Sequence, residues 1–242
     1  MDFGISGRRA LVLGASRGLG AASADALAAE GVSVLRAARS GEVPVDFTDA
    51  ASVEALIARV VGEGGVDILV NNTGGPKPGP AQGQSSAGWA SAFENMALTL
   101  FAITDALLPG MIERGWGRVI TVGSSGIEQP IPGLALSNGV RAAIAGWSKT
   151  LAGEVGRHGI TVNLVLPGRI DTDRVRQLDS GRAERTGRSI EAVQDASRAE
   201  IPVGRYGRPE EFGAVVAFLA SRQASFITGS MLRVDGGSIR SV

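Results

Sequence analysis

The chain has 242 residues, 44% of them hydrophobic, and its formal net charge at pH 7 is zero. This length and apolar content predict one α/β domain with a large core, and a neutral chain with few aromatic residues is not expected to bind nucleic acid. With no cysteine and a single histidine, His158, the sequence excludes disulfides and thiolate chemistry and predicts no metal site.

The N-terminal residues 1–10 do not have the pattern of a signal peptide. No uninterrupted apolar run reaches the roughly 20 residues that span a bilayer. We therefore expect a cytoplasmic protein that has no membrane partner.

The first predicted element is a strand over residues 10–13, followed by a glycine-rich turn and an alanine-rich helix that runs to about Glu30. The turn contains Gly14, Gly18 and Gly20. Glycine permits positive φ and a close approach of backbone N–H groups to an anion, and the helix N-terminus adds unpaired N–H groups. The turn predicts a pyrophosphate site, although its spacing differs from the common Gly-x-Gly-x-x-Gly pattern. On local sequence alone, a purely structural turn is the alternative.

The later elements alternate between apolar strands and helices. Residues 39–42 leave no room for a helix between the second and third strands. Nearly continuous apolar strands alternating with helices predict one domain, 1–242, with a Rossmann-like doubly wound parallel sheet of about seven strands. The later strands are predicted over 32–38, 43–47, 66–70, 118–122, 160–166 and 231–234, and the helices after Asp49 and over 89–114, 137–157 and 209–220.

Residues 169–205 have little continuous apolar sequence and contain eight arginines. We predict that this segment forms a helical excursion that covers the substrate side as a lid. One interpretation of its arginines is a solvated surface paired with nearby acidic residues, namely Glu184, Glu191, Asp195 and Glu200. The other is a contact surface for an anionic substrate.

Small and polar residues follow four of the predicted strands, at 14–20, 71–74, 124–125 and 167–172. In an open parallel sheet, ligands bind beyond the carboxyl ends of the strands, where the strand order reverses. The four stretches are therefore expected to form one ligand site.

In order and spacing, several stretches resemble the short-chain dehydrogenase/reductase family, close to its β-ketoacyl-carrier-protein reductase-like branch. The resemblance covers essentially the whole chain. The matching stretches are GASRGLG at 14–20, NNTG at 71–74, Asn95, GSS at 123–125, LPGRIDT at 166–172, IPVGRYGRPEE at 201–211 and ITGSMLRVDGG at 227–237.

The resemblance implies a nicotinamide dinucleotide cofactor and assigns residues to each of its parts. The residues that would hold the pyrophosphate and the adenosine side of the cofactor are Gly14, Ser16, Arg17, Gly18 and Leu19. Asn72 and Gly74 would flank adenosine and ribose, Asp46 would meet adenine, and Ile170 and Thr172 would contact the nicotinamide carboxamide.

The charge at the end of the second strand predicts which cofactor binds. A carboxylate there would bond the ribose 2′-hydroxyl and repel a 2′-phosphate, but this chain has Ala37, Ala38 and Arg39. Arg17 adds a second cation in the glycine turn. The sequence therefore favours NADP(H) over NAD, although Arg39 by itself is equally consistent with a solvated loop cation.

The family's catalytic set is a serine, a tyrosine thirteen residues later and a lysine four residues after that. By resemblance Ser124 is the serine, but the other two positions hold Ser137 and Arg141. An aliphatic hydroxyl is far less acidic than a phenol, so Ser137 is a poor proton donor. Arginine stays protonated and offers a planar set of N–H donors, so Arg141 can hold the nicotinamide ribose or stabilise an alkoxide without relaying protons.

Three functions stay open. In the first, carbonyl reduction persists with Ser124 and Arg141, and the proton comes from water through Ser137 and Asn95 or from Glu128. In the second, the chain binds NADP without redox activity and acts as a sensor or oligomer partner. In the third, the scaffold performs non-redox chemistry.

Tyr206, the only tyrosine, falls in the 201–211 stretch, where a packing role is expected. The resemblance also implies a small-molecule carbonyl substrate, with a thioester as one option. It further implies a homo-oligomer, usually a tetramer, or else a dimer, that assembles through the helices of 89–114 and 137–157.

Overall fold

The computed structural model describes residues 2–241. Within them, seven parallel strands form one sheet in the order β3-β2-β1-β4-β5-β6-β7. The strand order reverses between β1 and β4, which opens a crevice at their carboxyl ends. The predicted Rossmann-like fold is confirmed. The strands are β1 (Arg9–Leu13), β2 (Ser33–Ala38), β3 (Val43–Pro44), β4 (Ile68–Asn71), β5 (Gly117–Val122), β6 (Ile160–Pro167) and β7 (Met231–Val234).

Eight α-helices accompany the sheet in the described part of the chain. They are α1 (Gly18–Ala29), α2 (Ala50–Gly62), α3 (Ser86–Phe93), α4 (Thr99–Glu113), α5 (Ala135–Val155), α6 (Asp173–Thr186), α7 (Ile190–Ala199) and α8 (Pro209–Ala220). A π-helical turn, Glu94–Leu98, joins α3 to α4. The predicted bounds of the last helix and the last strand coincide with α8 and β7.

The core lies on both faces of the sheet because successive strand residues point to opposite sides. Leu11 and Leu13 of β1 pack with residues of α2, α4 and α5. Ala10 and Val12 of the same strand pack with residues of α1 and α8. The nearly continuous apolar strands in the sequence reflect this burial on two sides.

Strand β3 is shorter than the predicted strand over 43–47. Pro44 has no N–H to donate, and the amide of Asp46 donates to Ser52 Oγ at 3.0 Å instead of to β2. As predicted, residues 39–42 connect β2 to β3 without a helix. This connection leaves the end of β2 open beside the glycine turn.

The predicted helix over 89–114 is a longer helical stretch, Ser86–Glu113, interrupted by the π-helical turn. By length and composition alone, this one stretch of the described chain would suffice to cross a membrane, and 50% of its most apolar part is buried in the domain. Met96, Ile103 and Met111 belong to the core on one face of the sheet. We therefore describe it as a core helix. The sequence did not indicate it because Thr99, Thr104 and Asp105 interrupt the apolar run.

The arginine-rich segment folds into α6 and α7, so its predicted helical character is correct. Its base pairs with the loop that precedes α8: the Gly207 amide donates to Arg169 O at 2.9 Å, and the Asp171 amide donates to Gly207 O at 2.8 Å. Several arginines make ion pairs, but mainly with aspartates. Arg176 contacts Asp171 and Asp173, and Arg198 contacts Asp195.

Candidate active site

The glycine turn connects β1 to α1 with a backbone that only glycine adopts readily. Gly14 has φ +62° and Gly18 has φ +57°. A Cβ on Gly20 would lie 2.3 Å from Gly14 O, and a Cβ on Gly14 would lie 2.7 Å from Asn72 Nδ2. These distances leave no space for a side chain, so glycine lets the turn pack closely against Asn72. The exposed residues Ser16 and Arg17 keep the outer side of the turn, at the N-terminus of α1, accessible to an anion such as a pyrophosphate.

Asn72 and Thr172 bring the ends of β4 and β6 to the glycine turn. The Asn72 side chain donates to Leu13 O at 3.2 Å and to Gly14 O at 3.4 Å. A Cβ on Gly18 would lie 3.5 Å from Thr172 Cγ2. The structure thus brings together three of the four stretches that were singled out in the sequence.

Thr172 also begins α6, because its hydroxyl accepts from the Val175 amide at 3.4 Å. Ile170 is buried and pairs with Gly207. Both residues therefore have structural partners at the positions where the resemblance implies contact with the nicotinamide.

The remaining cofactor candidates surround the crevice. Ser16 is exposed, and Leu19, in the first turn of α1, packs against the core. Gly74 is exposed after β4, with open space around it. Each lies at the carboxyl edge of the sheet, where the sequence predicts the cofactor.

Arg17 and Arg39 are both exposed. Arg17 Nη1 lies 3.9 Å from Asp173 Oδ2, and Arg39 follows β2 directly. Asp46 accepts from the Thr48 amide at 2.9 Å and from its hydroxyl at 2.8 Å. These bonds hold the pKa of Asp46 below its ordinary value, with a smaller contribution from the charge of Arg39.

Ser124 and Arg141 both lie at the carboxyl end of β5. Ser124 Oγ accepts from the Gly126 amide at 3.0 Å, which leaves its own O–H able to donate. Arg141 Nη1 donates to Val122 O at 2.8 Å and to Gly123 O at 3.1 Å. Burial, together with the nearby charge of Arg174, lowers the pKa of Arg141 to about 10, so the guanidinium is protonated at neutral pH.

The other catalytic candidates do not form a proton relay in this structure. Ser137 is half-buried on α5, and its hydroxyl has no hydrogen-bond partner among residues 2–241. Asn95, in the π-helical turn, donates to Ser91 Oγ at 3.2 Å. Glu128, the alternative acid, forms an ion pair with Arg233. This pair engages the carboxylate and weighs against Glu128 as the proton source.

Tyr206 has a more specific contact than the predicted packing role. Its hydroxyl donates to Asp179 Oδ2 at 2.8 Å, while Arg169 Nη1 donates to Asp179 Oδ1 at 2.5 Å. Asp179 lies on α6 and is fully buried. Burial and the bond to Asp179 raise the pKa of Tyr206, so the phenol stays protonated. The sequence held no signal that separated Asp179 from the other acidic residues of the segment.

Arg174, also on α6, was not a candidate in the sequence. Its Nη2 donates to Pro76 O at 3.0 Å, in the loop that follows β4. Among eight arginines in the segment, nothing in the sequence distinguishes this one. No three His, Asp or Glu side chains of residues 2–241 are grouped as a metal ion would require.

A comparison with family models decides the family. The model described as enoyl-(acyl carrier protein) reductase matches residues 14–238. The chain belongs to the short-chain dehydrogenase/reductase family. This match covers the glycine turn, the catalytic candidates and residues 169–205.

Curated members of the short-chain dehydrogenase/reductase family match this chain over nearly its full length. The 3-oxoacyl-[acyl-carrier-protein] reductase FabG of Vibrio cholerae is 36% identical over 249 residues, which are 96% of this chain and 98% of that protein. FabG of Escherichia coli is 36% identical over 253 residues, which are 98% of each chain. The resemblance to the β-ketoacyl-carrier-protein reductase branch is therefore well founded.

Solved reductases of the family have the same architecture. L-sorbose reductase from Gluconobacter frateurii, complexed with NADPH and L-sorbose, has a TM-score of 0.93 at 30% identity and covers 100% of both chains. A variant of actinorhodin polyketide ketoreductase with NADPH has a TM-score of 0.90 at 31% identity, over 97% of this chain and 98% of that one. YwfH, an NADPH-dependent reductase of bacilysin biosynthesis, has a TM-score of 0.93 at 26% identity, over 98% and 100%.

Proposed function

We propose that this protein is an NADPH-dependent oxidoreductase that reduces a carbonyl compound, a ketone or a 3-oxoacyl group, with an atypical catalytic site. The observation that carries the proposal is the position of Ser124 and Arg141 at the same sheet edge as the glycine turn. The relatives support it, because they are reductases and several are described with NADPH. We also propose a cytoplasmic protein that forms a homo-oligomer, a tetramer or a dimer.

The residues of the cofactor cradle fit a dinucleotide, since the glycines let the turn close tightly at the N-terminus of α1 and Asn72 fixes it from the end of β4. When bound, NADPH supplies a hydride to the carbonyl carbon. Gly14, Ser16, Gly18 and Leu19 would hold the pyrophosphate side, with Gly74 and Asp46 nearer the adenosine. Ile170 and Thr172 would hold the nicotinamide end.

Ser124 and Arg141 act on the carbonyl oxygen. The free O–H of Ser124 donates to it, and the protonated guanidinium stabilises the negative charge that develops as the hydride arrives at carbon. One proton then completes the alcohol, and we assign it to water that Ser137 and Asn95 position.

The test of this function records NADPH oxidation against a panel of ketones and 3-oxoacyl thioesters, together with NADPH binding by fluorescence titration. Ser124→Ala is expected to reduce kcat about 100-fold and to leave the Kd for NADPH within about twofold, because an oxyanion donor acts in the transition state. Binding without any turnover by the unmodified protein would replace the reductase proposal by an NADP-binding role.

The double variant Ser137→Tyr/Arg141→Lys gives a matched gain-of-function control. It restores the phenol and the lysine of the family pattern, so we expect turnover to rise at least about tenfold with unchanged NADPH affinity. A turnover that falls would show that the proton path of this protein does not depend on the missing phenol.

The choice of NADP over NAD depends on Arg17 and Arg39. We expect Arg17→Ala/Arg39→Ala to weaken NADPH binding about 100-fold and NADH binding less than threefold, because charge-assisted bonds reach only a 2′-phosphate. Titrations of both cofactors check this, with exposed Arg59→Ala on α2 as the control. Equal losses for NADPH and NADH would refute the assignment.

A further inference from the structure

Arg174 spans the region above Arg141. It starts on α6, which follows β6, and donates to Pro76 O in the loop that follows β4. Strand β5 lies between β4 and β6 in the sheet, and Arg141 is bonded to the carbonyls at its carboxyl end. Both side chains therefore lie at the carboxyl end of β5, the strand that Ser124 follows, and the charge of Arg174 is near enough to act on Arg141.

Neither of these two guanidinium groups makes an ion pair with a carboxylate of residues 2–241. The nearby acids of α6 are already engaged, since Asp173 contacts Arg176 and Arg17, and Asp179 contacts Arg169. The charge of Arg174 acts on Arg141 as a repulsion that contributes to its lowered pKa. Arg141 is half-buried and Arg174 is exposed, and two neighbouring like charges with no carboxylate partner favour the binding of an anion between them.

Both side chains keep hydrogen-bond donors for such an anion. An arginine has five N–H donors, and Arg141 uses Nη1 alone, on Val122 O and Gly123 O. Its Nε and Nη2 have no acceptor in the described chain. Arg174 uses Nη2 alone. Planar guanidinium edges with free donors match the two oxygens of a carboxylate.

We propose that Arg174 and the unused Nε–H and Nη2–H donors of Arg141 bind a carboxylate of the substrate, so that the protein reduces short 2-oxo or 3-oxo acids while the charge of Arg141 also stabilises the adjacent carbonyl oxygen. Ser124 directly follows Gly123, whose backbone carbonyl accepts a hydrogen bond from Arg141. A substrate carboxylate on Arg141 must therefore lie close to the substrate carbonyl that Ser124 contacts. A carboxylate one or two carbons from the reacting carbonyl reaches both groups. This inference rests on the proposed reductase function. It narrows the substrate to oxo acids with a free carboxylate, a group that a neutral 3-oxoacyl thioester does not have.

The first experiment compares substrates that differ only in charge. NADPH oxidation is followed with pyruvate against pyruvamide and with acetoacetate against acetoacetamide. We expect the intact protein to prefer each acid over its amide by about tenfold to 100-fold in kcat/KM, as charge-assisted bonds to one carboxylate would give. Turnover of the amides that equals turnover of the acids would overturn the inference and leave the reductase function intact.

Variants of α6 then assign the preference to Arg174. Arg174→Ala is expected to remove most of the acid preference through KM, while Arg174→Lys restores part of it. The control is Arg185→Ala, an exposed arginine on the same helix whose loss changes the net charge equally. Equal effects of Arg174→Ala and Arg185→Ala on the acid preference would show a general effect of net charge and overturn the inference. A loss of NADPH affinity in Arg174→Ala as large as the rise in KM for the acid would also overturn it.

A second experiment does not depend on turnover. Malonate and malonamide are titrated calorimetrically into the intact protein, with and without NADP⁺. We expect malonate to bind and malonamide to bind at least about tenfold more weakly, with malonate binding lost in Arg174→Ala. This result would support the carboxylate site even if no carbonyl compound were reduced, whereas equal binding of malonate and malonamide would overturn it.

Discussion

Replacing Gly20 by alanine is expected to abolish measurable NADPH binding and to lower the free energy of unfolding by about 1–3 kcal/mol. The added Cβ would lie 2.3 Å from Gly14 O and 2.8 Å from Asn72 Nδ2. Both neighbours belong to the turn or fix it, so relief of the clash displaces the backbone that receives the pyrophosphate. The expected loss of affinity exceeds that of any single side-chain variant in the cradle.

Fluorescence titration with NADPH and urea unfolding measure these two effects. Gly62→Ala is the matched control, because Gly62 is also helical and exposed, at the end of α2, and a Cβ there would meet nothing within 4 Å. We expect this control to keep full affinity and to change stability by less than about 1 kcal/mol. A Gly20→Ala protein that bound NADPH normally would mean that the pyrophosphate lies elsewhere.

The fold could be predicted from the sequence because each strand is a compact apolar run and the polar turns follow them regularly. The prediction of seven parallel strands is correct, including the direct connection from β2 to β3. The errors have local causes: Pro44 and the Asp46 amide end β3 early, and a π-helical turn interrupts the long helix at Glu94–Leu98. Neither feature changes the pattern of apolar residues from which the bounds of these elements were predicted.

The candidate site could be predicted only in part. The glycine turn, Asn72 and Thr172 carried enough local pattern to be singled out, and the structure brings them together. Arg174 and Asp179 did not, because their roles depend on the fold. Arg174 reaches from α6 to the loop after β4, and Asp179 is buried where α6 packs on the segment around Tyr206.

The roles assigned to Ser124, Ser137, Arg141 and Asn95 remain predictions. The structure fixes the surroundings of these side chains: Ser124 and Arg141 lie at the end of one strand, and Ser137 and Asn95 are not bonded to each other. If Ser137 stands where the family has its tyrosine, as the resemblance implies, the substitution changes the source of one proton without changing the backbone. Kinetics, as described above, is therefore the measurement that tests these roles.

Asp179→Leu is expected to release the lid, here defined as α6 and α7, and to cost about 3 kcal/mol of stability. The fully buried carboxylate accepts from Arg169 and from Tyr206, so its removal leaves a cation and a phenol without their acceptor. The cost is below the upper range for buried pairs, because 31% of the Arg169 side chain is exposed and water can solvate part of its charge. The lid carries Asp173 and Arg174, so we also expect weaker substrate binding.

Hydrogen exchange separates release of the lid from general unfolding. In Asp179→Leu, amides of α6 are expected to exchange faster while those of β4, β5 and β6 keep their protection, since the sheet has its own core. Tyr206→Phe removes one hydrogen bond and should cost only about 1 kcal/mol. The control Asp195→Asn removes another aspartate–arginine pair on the lid, whose carboxylate is 72% exposed, and is expected to cost less than about 0.5 kcal/mol. If Asp195→Asn and Asp179→Leu had equal effects, the buried carboxylate would not be what holds the lid on the domain.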